Sequence, residues 1–296
     1  MATPFVTQID LALEETLRTA LAGRGFSFSQ PLHTRFAAKG EGVSLTLYDS
    51  GKLVVQGKGA PDFITYFLEP EVLGTFTYGV AAEVDYSARI GSDEAGKGDY
   101  FGPLCIAAVY ADREKIERLV KMGVIDSKRL PDGKVRQLAK EIGELCPWEI
   151  VRLFPTKYNE LYQKFGNLNS LLAWAHAAAI GSLQEKTGAK AALVDQFAYP
   201  HVLDRALAKR GVTLKVTQRV RAESDPVVAA ASILARAAFL KGLDQLSEEW
   251  GIPLPKGANN GIVETGCALV AKHGQQVLEK TGKLHFKTTR DILRAC

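Results

Sequence analysis

The stretch GSDEAGKG, residues 91–98, constrains the fold more than any other, because its spacing suggests one kind of loop and its side chains another. From Gly91 to Lys97 it fits G-x-x-x-x-G-K, a glycine turn leading from a strand into a helix whose amides hold phosphate. The next residue should be Ser or Thr, to hold magnesium, and it is Gly98. Asp93 and Glu94 would lie inside the cradle and repel the anion. After Gly98 come Asp99-Tyr100-Phe101-Gly102-Pro103 and then LCIAAVYA, whose Ile, Val and Tyr favour a strand over a helix. The residues describe two strands joined by a glycine-rich turn, with paired acids near the end of the first.

From about Tyr86 the chain alternates strands and helices. Strands are expected over 88–93, 104–111, 148–154, 191–197 and 214–220, with a long helix over 158–183 and another from Pro226 to about Trp250. In α/β sheets, sites lie at the carboxyl ends of strands, which points to Asp93 and Asp195. Asp195 closes the apolar run Ala191-Ala192-Leu193-Val194, and a carboxylate there needs a partner or a metal. Glu223 lies in RAESDP just before the last of these helices. Asp225, two positions on, is the alternative fourth acid, and Glu223 is preferred. Singly, each acid reads more readily as a structural or solvated group. Together, as hard oxygen donors without clustered His or Cys, they suggest magnesium or manganese and a two-metal phosphoryl-transfer site.

Residues 1–80 read as a separate α+β unit: a helix over 6–21, strands over 26–28, 34–38, 43–48 and 53–56, and a short helix over 61–67. Asp49-Ser50-Gly51-Lys52 is a hairpin turn. The unit holds six Lys and Arg against eight Asp and Glu, but its acids favour the helices, while Arg35, Lys39, Lys52 and Lys58 lie in the strand region. Such a sheet face could lie along a nucleic-acid backbone, although an ordinary solvated face fits the composition as well.

Other classes find less support. Cys105, Cys146, Cys267 and Cys296 contain no C-x-x-C pair, which argues against a zinc ribbon and for reduced thiols in a cytoplasm. MATPFVTQID lacks the basic and apolar regions of a signal peptide. The apolar stretches are too short for a membrane span or carry His176 or Arg236. A net charge of +4 permits a polyanionic partner without requiring one.

GSDEAGKGDYFGPL resembles the first active-site motif of the type 2 ribonucleases H, specifically the bacterial ribonuclease HIII branch; the HII branch has an arginine between the glycines. Further matches follow in order: Asp126-Ser127-Lys128, Lys157-Tyr158-Asn159, Asn167-Leu168-Asn169, Val194-Asp195-Gln196-Phe197, Arg221-Ala222-Glu223-Ser224 and His285-Phe286-Lys287. The resemblance covers residues 86 to 290. It implies a ribonuclease H-like mixed sheet flanked by helices over 86–296, preceded by a small N-terminal domain (1–80) similar to a half-repeat of a TATA-box-binding protein that grips substrate. It further implies metal-binding and catalytic roles for Asp93, Glu94, Asp195 and Glu223, with magnesium or manganese ions. Gly96, Lys97, Gly98, Ser127 and Lys128 would contact substrate. The implied reaction is hydrolysis of the RNA strand of RNA/DNA hybrids to 5′-phosphate and 3′-hydroxyl ends, by a cytoplasmic monomer with no membrane partner. Alternatives are cleavage at single embedded ribonucleotides, as in the HII branch, and non-catalytic nucleic-acid binding on the same fold. His273, Lys283, His285, Lys287 and Arg290 form a basic stretch that would flank the hybrid or lie on a solvated helix face. His176 is expected to be structural.

Overall fold

The computed structural model describes residues 4–74, 84–124, 127, 130–220, 222–258 and 260–296, and divides the chain into two compact units, Met1–Val84 and Asp85–Cys296.

The first unit is a five-stranded antiparallel sheet in the order β1-β5-β4-β3-β2. The strands are β1 (Phe5–Gln8), β2 (Ser27–Ser29), β3 (Thr34–Gly40), β4 (Val43–Tyr48) and β5 (Lys52–Gly57). Alternate residues Leu45, Leu47, Leu53 and Val55 share a core with Leu17 and Leu21 of α1 (Glu14–Gly23) and Phe63 of α2 (Ala60–Phe63). Two expectations change. The helix expected from Val6 begins only at Glu14, because Phe5–Gln8 alternates in burial and pairs with β5, and Asp10 then accepts the Ala12 amide to start a 3-10 turn. The helix expected to stop before Pro70 runs on as a π-helix, Ile64–Leu73, whose wider winding takes in the proline.

The second unit is built on a mixed sheet in the order β10-β9-β6-β7-β8. Its strands are β6 (Arg89–Ala95), β7 (Leu104–Ala111), β8 (Trp148–Leu153), β9 (Ala191–Asp195) and β10 (Lys215–Arg219). β6 runs antiparallel to β7 and parallel to β9, so the central strand carries Asp93 beside the strand that ends in Asp195. The helices are α3 (Arg113–Lys121), α4 (Asp132–Leu145), α5 (Pro155–Phe165), α6 (Leu168–Thr187), α7 (Pro200–Lys209), α8 (Pro226–Trp250), α9 (Asn260–His273), α10 (Val277–Thr281) and α11 (Lys287–Ala295). The single helix expected over 158–183 is two. Gly166 takes the left-handed conformation (φ 74°) and Asn167 caps the next helix by accepting the Ser170 amide at 2.8 Å.

α6 and α8 pack against the central strands. By length and composition α8 could cross a membrane, but 83% of its apolar window is buried inside the fold, which makes it a core helix. It lies against β6 closely enough that a Cβ on Gly91 would meet the Val227 carbonyl carbon at 2.4 Å, so glycine is required there. Asp225 caps α8 and pairs with buried Arg89 at the start of β6, fixing the helix end to the sheet.

The expectation of four reduced thiols is corrected. Cys105 and Cys146 are free and buried, but Cys267 and Cys296 form a disulfide with their Cα atoms 5.4 Å apart, because α9 and α11 pack together and bring the last residue back to α9.

Candidate active site

Strand alternation separates the paired acids. Asp93 faces α8, where Ser232 hydrogen-bonds its carboxyl, and Glu94 faces α6, where His176 meets it. The divergence comes from the pleat within β6. Asp93 is 6% exposed, and its Oδ1 accepts the Glu94 amide at 2.7 Å. Burial first, then the adjacent Glu94 and more distant Asp195 charges, push its carboxyl up to about 8, against the hydrogen bonds from the Glu94 amide and Ser232.

Burial alone would raise Glu94 as well. The hydrogen bond and charge of His176, together with Lys97, instead hold it net below the ordinary carboxylate range. Lys97 Nζ lies 3.4 Å from Glu94 Oε1. His176 is fully buried, stacks on Phe197, and places Nε2 3.3 Å from Glu94 Oε2 and Nδ1 2.8 Å from Ser92 Oγ. Because the Glu94 carboxylate can only accept, Nε2 is the donor to Glu94, and Nδ1 shares the Ser92 hydroxyl. His176 is the buried, hydrogen-bonded histidine expected, and it also meets the Glu94 carboxylate. The available signal was its place on α6, the helix covering β6; the contact itself depends on packing.

Asp195 ends β9, and the register Ser92↔Val194 brings it level with Asp93 one step further along. Its Oδ1 accepts the Ala222 amide at 2.9 Å, which ties it to the 3-10 turn Ala222–Ser224 that carries Glu223. Glu223 Oε2 is buried and has no hydrogen-bond partner among the described residues. Asp225 differs: its Oδ2 takes both Arg89 donors and its Oδ1 accepts the Val227 and Val228 amides. Among the described residues no three His, Cys, Asp or Glu side chains close on one point; Asp195 reaches Asp93 through its charge. A buried acceptor with no donor and a carboxyl pushed up by its neighbours are what oxygen donors for a divalent cation look like without one.

The glycines of the motif divide into two kinds. Gly96 has φ 85°, and a Cβ on it would meet the Pro103 carbonyl oxygen at 2.2 Å, so the fold itself requires glycine. Gly98 faces open space, and nothing within 4 Å of its ideal Cβ requires glycine. Ser127 points inward: it is 4% exposed and its Oγ lies 2.7 Å from Ser232 Oγ, the hydroxyl that also serves Asp93. Its carbonyl accepts from Arg236 of α8. Asp126 and Lys128 lie outside the described residues.

Lys283 corrects the reading of the C-terminal basic stretch. It is fully buried and donates to the carbonyls of Asp99 and Gly102, each at 2.8 Å. Burial pushes its amino group down to about 7, against the pull of the Asp99 carboxylate. His285 is exposed and stacks on Tyr162 with ring centroids 4.2 Å apart.

Residues 90–289 match the family model described as Ribonuclease HII, and residues 4–76 match a domain of unknown function, DUF3378. The chain is 49% identical to the ribonuclease HIII of Protochlamydia amoebophila over 98% of its length and 97% of the relative's. It is 47% identical to that of Chlamydia trachomatis serovar D, covering 99% and 98%. Among solved structures it is similar to Bst-RNase HIII in complex with Mn2+, at TM-score 0.68 and 32% identity over 99% of both chains. Aquifex aeolicus RNase H3 matches at TM-score 0.58 and 28% identity, over 96% of this chain and 100% of the other.

Proposed function

The chain belongs to the ribonuclease HII family, on its ribonuclease HIII branch, and on that premise we propose that Asp93, Glu94, Asp195 and Glu223 are the carboxylates with which it hydrolyses the RNA strand of RNA/DNA hybrids. The observation that carries the assignment is the buried, partnerless Glu223 Oε2 in the turn joined to Asp195, together with a crowded Asp93. An all-carboxylate donor set suits magnesium or manganese. Two such ions, when bound, supply an activated water and neutralise the charge on the departing 3′-oxygen, leaving 5′-phosphate and 3′-hydroxyl ends.

The chain's own residues fix where those donors point. Asp93, on the central strand and held by the Glu94 amide and Ser232, would be among the donors that hold the ions. His176 sets the Glu94 carboxylate, and the Ala222 amide sets Asp195. Gly98, free of any internal demand, presents bare backbone to the minor groove, where a 2′-hydroxyl can both donate and accept. Gly96 shapes the turn that delivers it. Lys97 is placed to exchange Glu94 for a phosphate oxygen. We keep Lys128 as a phosphate contact and give Ser127 an indirect role, supporting Asp93 through Ser232.

The N-terminal unit grips the hybrid with the strand surface that carries exposed Lys39, Lys52 and Lys58; Arg35 is taken up by Glu14 of α1 at 2.7 Å. We read the enzyme as a monomer, since one chain supplies every acid of the site, and assign it to the cytoplasm on the resemblance alone.

One gel tests the reading. Purified protein is offered an RNA/DNA hybrid, a DNA duplex with one embedded ribonucleotide, and double-stranded RNA, each with magnesium or manganese. Cutting confined to the RNA strand of the hybrid is expected. Robust cutting at the lone ribonucleotide moves the specificity to the HII type. Folded protein that leaves the hybrid intact with both metals rules the proposal out.

A further inference from the structure

The segment that follows Gly98 is pinned from below by a part of the chain about 180 residues later in sequence. Phe101 pairs with Gly282 in an isolated antiparallel bridge, and the Lys283 amide donates to the Tyr100 carbonyl at 2.9 Å. Lys283 then turns its side chain back under the same loop. Its Nζ donates to the carbonyls of Asp99 (2.8 Å), Phe101 (3.5 Å) and Gly102 (2.8 Å) and sits 5.7 Å from the Tyr158 ring centroid. Asn159 secures the far side, donating to the Glu279 and Gly282 carbonyls and accepting the Leu284 amide.

A lysine with no exposed surface and no carboxylate within bonding distance is an expensive way to fill space. A Met or Leu would pack there without desolvation. What only a multi-donor head supplies is hydrogen bonds to three carbonyls of one tight loop, which would otherwise be buried without donors. The loop begins one residue after Gly98, so its height and tilt set where the Gly96–Gly98 backbone points.

We propose that Lys283 is a positioning residue for hybrid recognition: by drawing the Asp99, Phe101 and Gly102 carbonyls onto its amino group, it holds the Gly96–Gly98 backbone at the angle that meets the RNA strand. This rests on the substrate-facing role assigned above to Gly96–Gly98. It accounts for the buried C-terminal lysine and for the Asn159 position, neither of which the carboxylate chemistry uses.

The test uses the full-length chain with Lys283→Met, which keeps the unbranched stem and removes every donor. Lys283→Gln, which keeps two N–H donors, and Gly98→Ala are assayed in parallel. Expected for Lys283→Met are a cooperative melt, a wild-type thermal shift on adding Mn2+, kcat within about threefold of wild type, and a KM for the hybrid raised on the order of tenfold or more. Lys283→Gln should recover part of that KM. A wild-type KM in Lys283→Met overturns the proposal, as does a loss of kcat and Mn2+ response together, which would mark a general structural role. If Lys283→Met does not fold, Lys283→Gln is judged by the same split, and failure of both to fold also overturns it. Gly98→Ala separates the two readings. A raised KM there beside an unchanged Lys283→Met rejects Lys283 alone. An unchanged KM in Gly98→Ala removes the substrate-facing role of the loop itself.

Discussion

Two groups of buried acids lie at the meeting of β6 and the start of α8, and they are finished differently. Asp225 has its hydrogen-bonding capacity filled: Arg89 reaches Oδ2 at 2.6 and 3.1 Å, and two helix amides fill Oδ1 at 2.9 and 3.3 Å. Two residues away, Glu223 keeps a buried oxygen without a donor among the described residues, and Asp93 is pushed up to about 8 by burial and like charge. Burial is equal at the two aspartates, 6% exposed in each. On the proposed assignment, completion of its partners separates a structural carboxylate from a functional one, because an acid reserved for a cation must be left short of donors by the protein itself.

The largest effect should come from Asp93→Asn. Activity on the hybrid falls at least about a thousandfold, roughly 4 kcal/mol of transition-state stabilisation, while the metal-free melting temperature stays level or rises because a carboxyl whose ionisation burial and like charge oppose is gone. Turnover near wild type would erase the distinction between the two groups. Asp225→Ala should instead be read in stability, since it leaves the Arg89 guanidinium buried and unpaired; urea unfolding should show a loss of about 3–5 kcal/mol. A loss below that range would mean the pair is less complete than its geometry.

The smallest effect is a slope. Lys283 is a third buried charge, satisfied by carbonyls in place of a counter-ion, with its amino group pushed from 10.5 to about 7. Between those values the unfolded chain keeps a proton that the folded chain has released, so this group adds stability as pH rises through the window and withdraws it as pH falls toward 7. The melting temperature of wild type relative to Lys283→Met should therefore climb from pH 7 to pH 9. A flat difference would show that the carbonyls keep the group protonated throughout.

Much of this was legible in the sequence because local chemistry decides it. β7 and α8 run over the residues their patterns suggest, and Gly98 rules out a phosphate loop on identity alone. Asp195 stood out as the polar end of an apolar run. The misses are of another kind. Phe5–Gln8 has apolar residues compatible with either period, and only pairing with β5 makes it a strand. Gly166 lay inside a helical pattern, and the Asn167 cap behind it divides the helix in two. Lys283 reads by residue type as a surface cation and lies fully buried, while His176 lies in the core as its type suggests; the partners of both are far away in sequence.

The sequence by itself determined which chemistry is present: hard oxygen donors, a bare-backbone turn, and an order of motifs that names a family. Only the tertiary structure decided which of two neighbouring acids is already satisfied and which lysine lies inside, because hydrogen-bond completion depends on groups that meet from opposite ends of the chain. Glu223 and Asp225 are two residues apart. Arg89, 136 residues upstream of Asp225, distinguishes them.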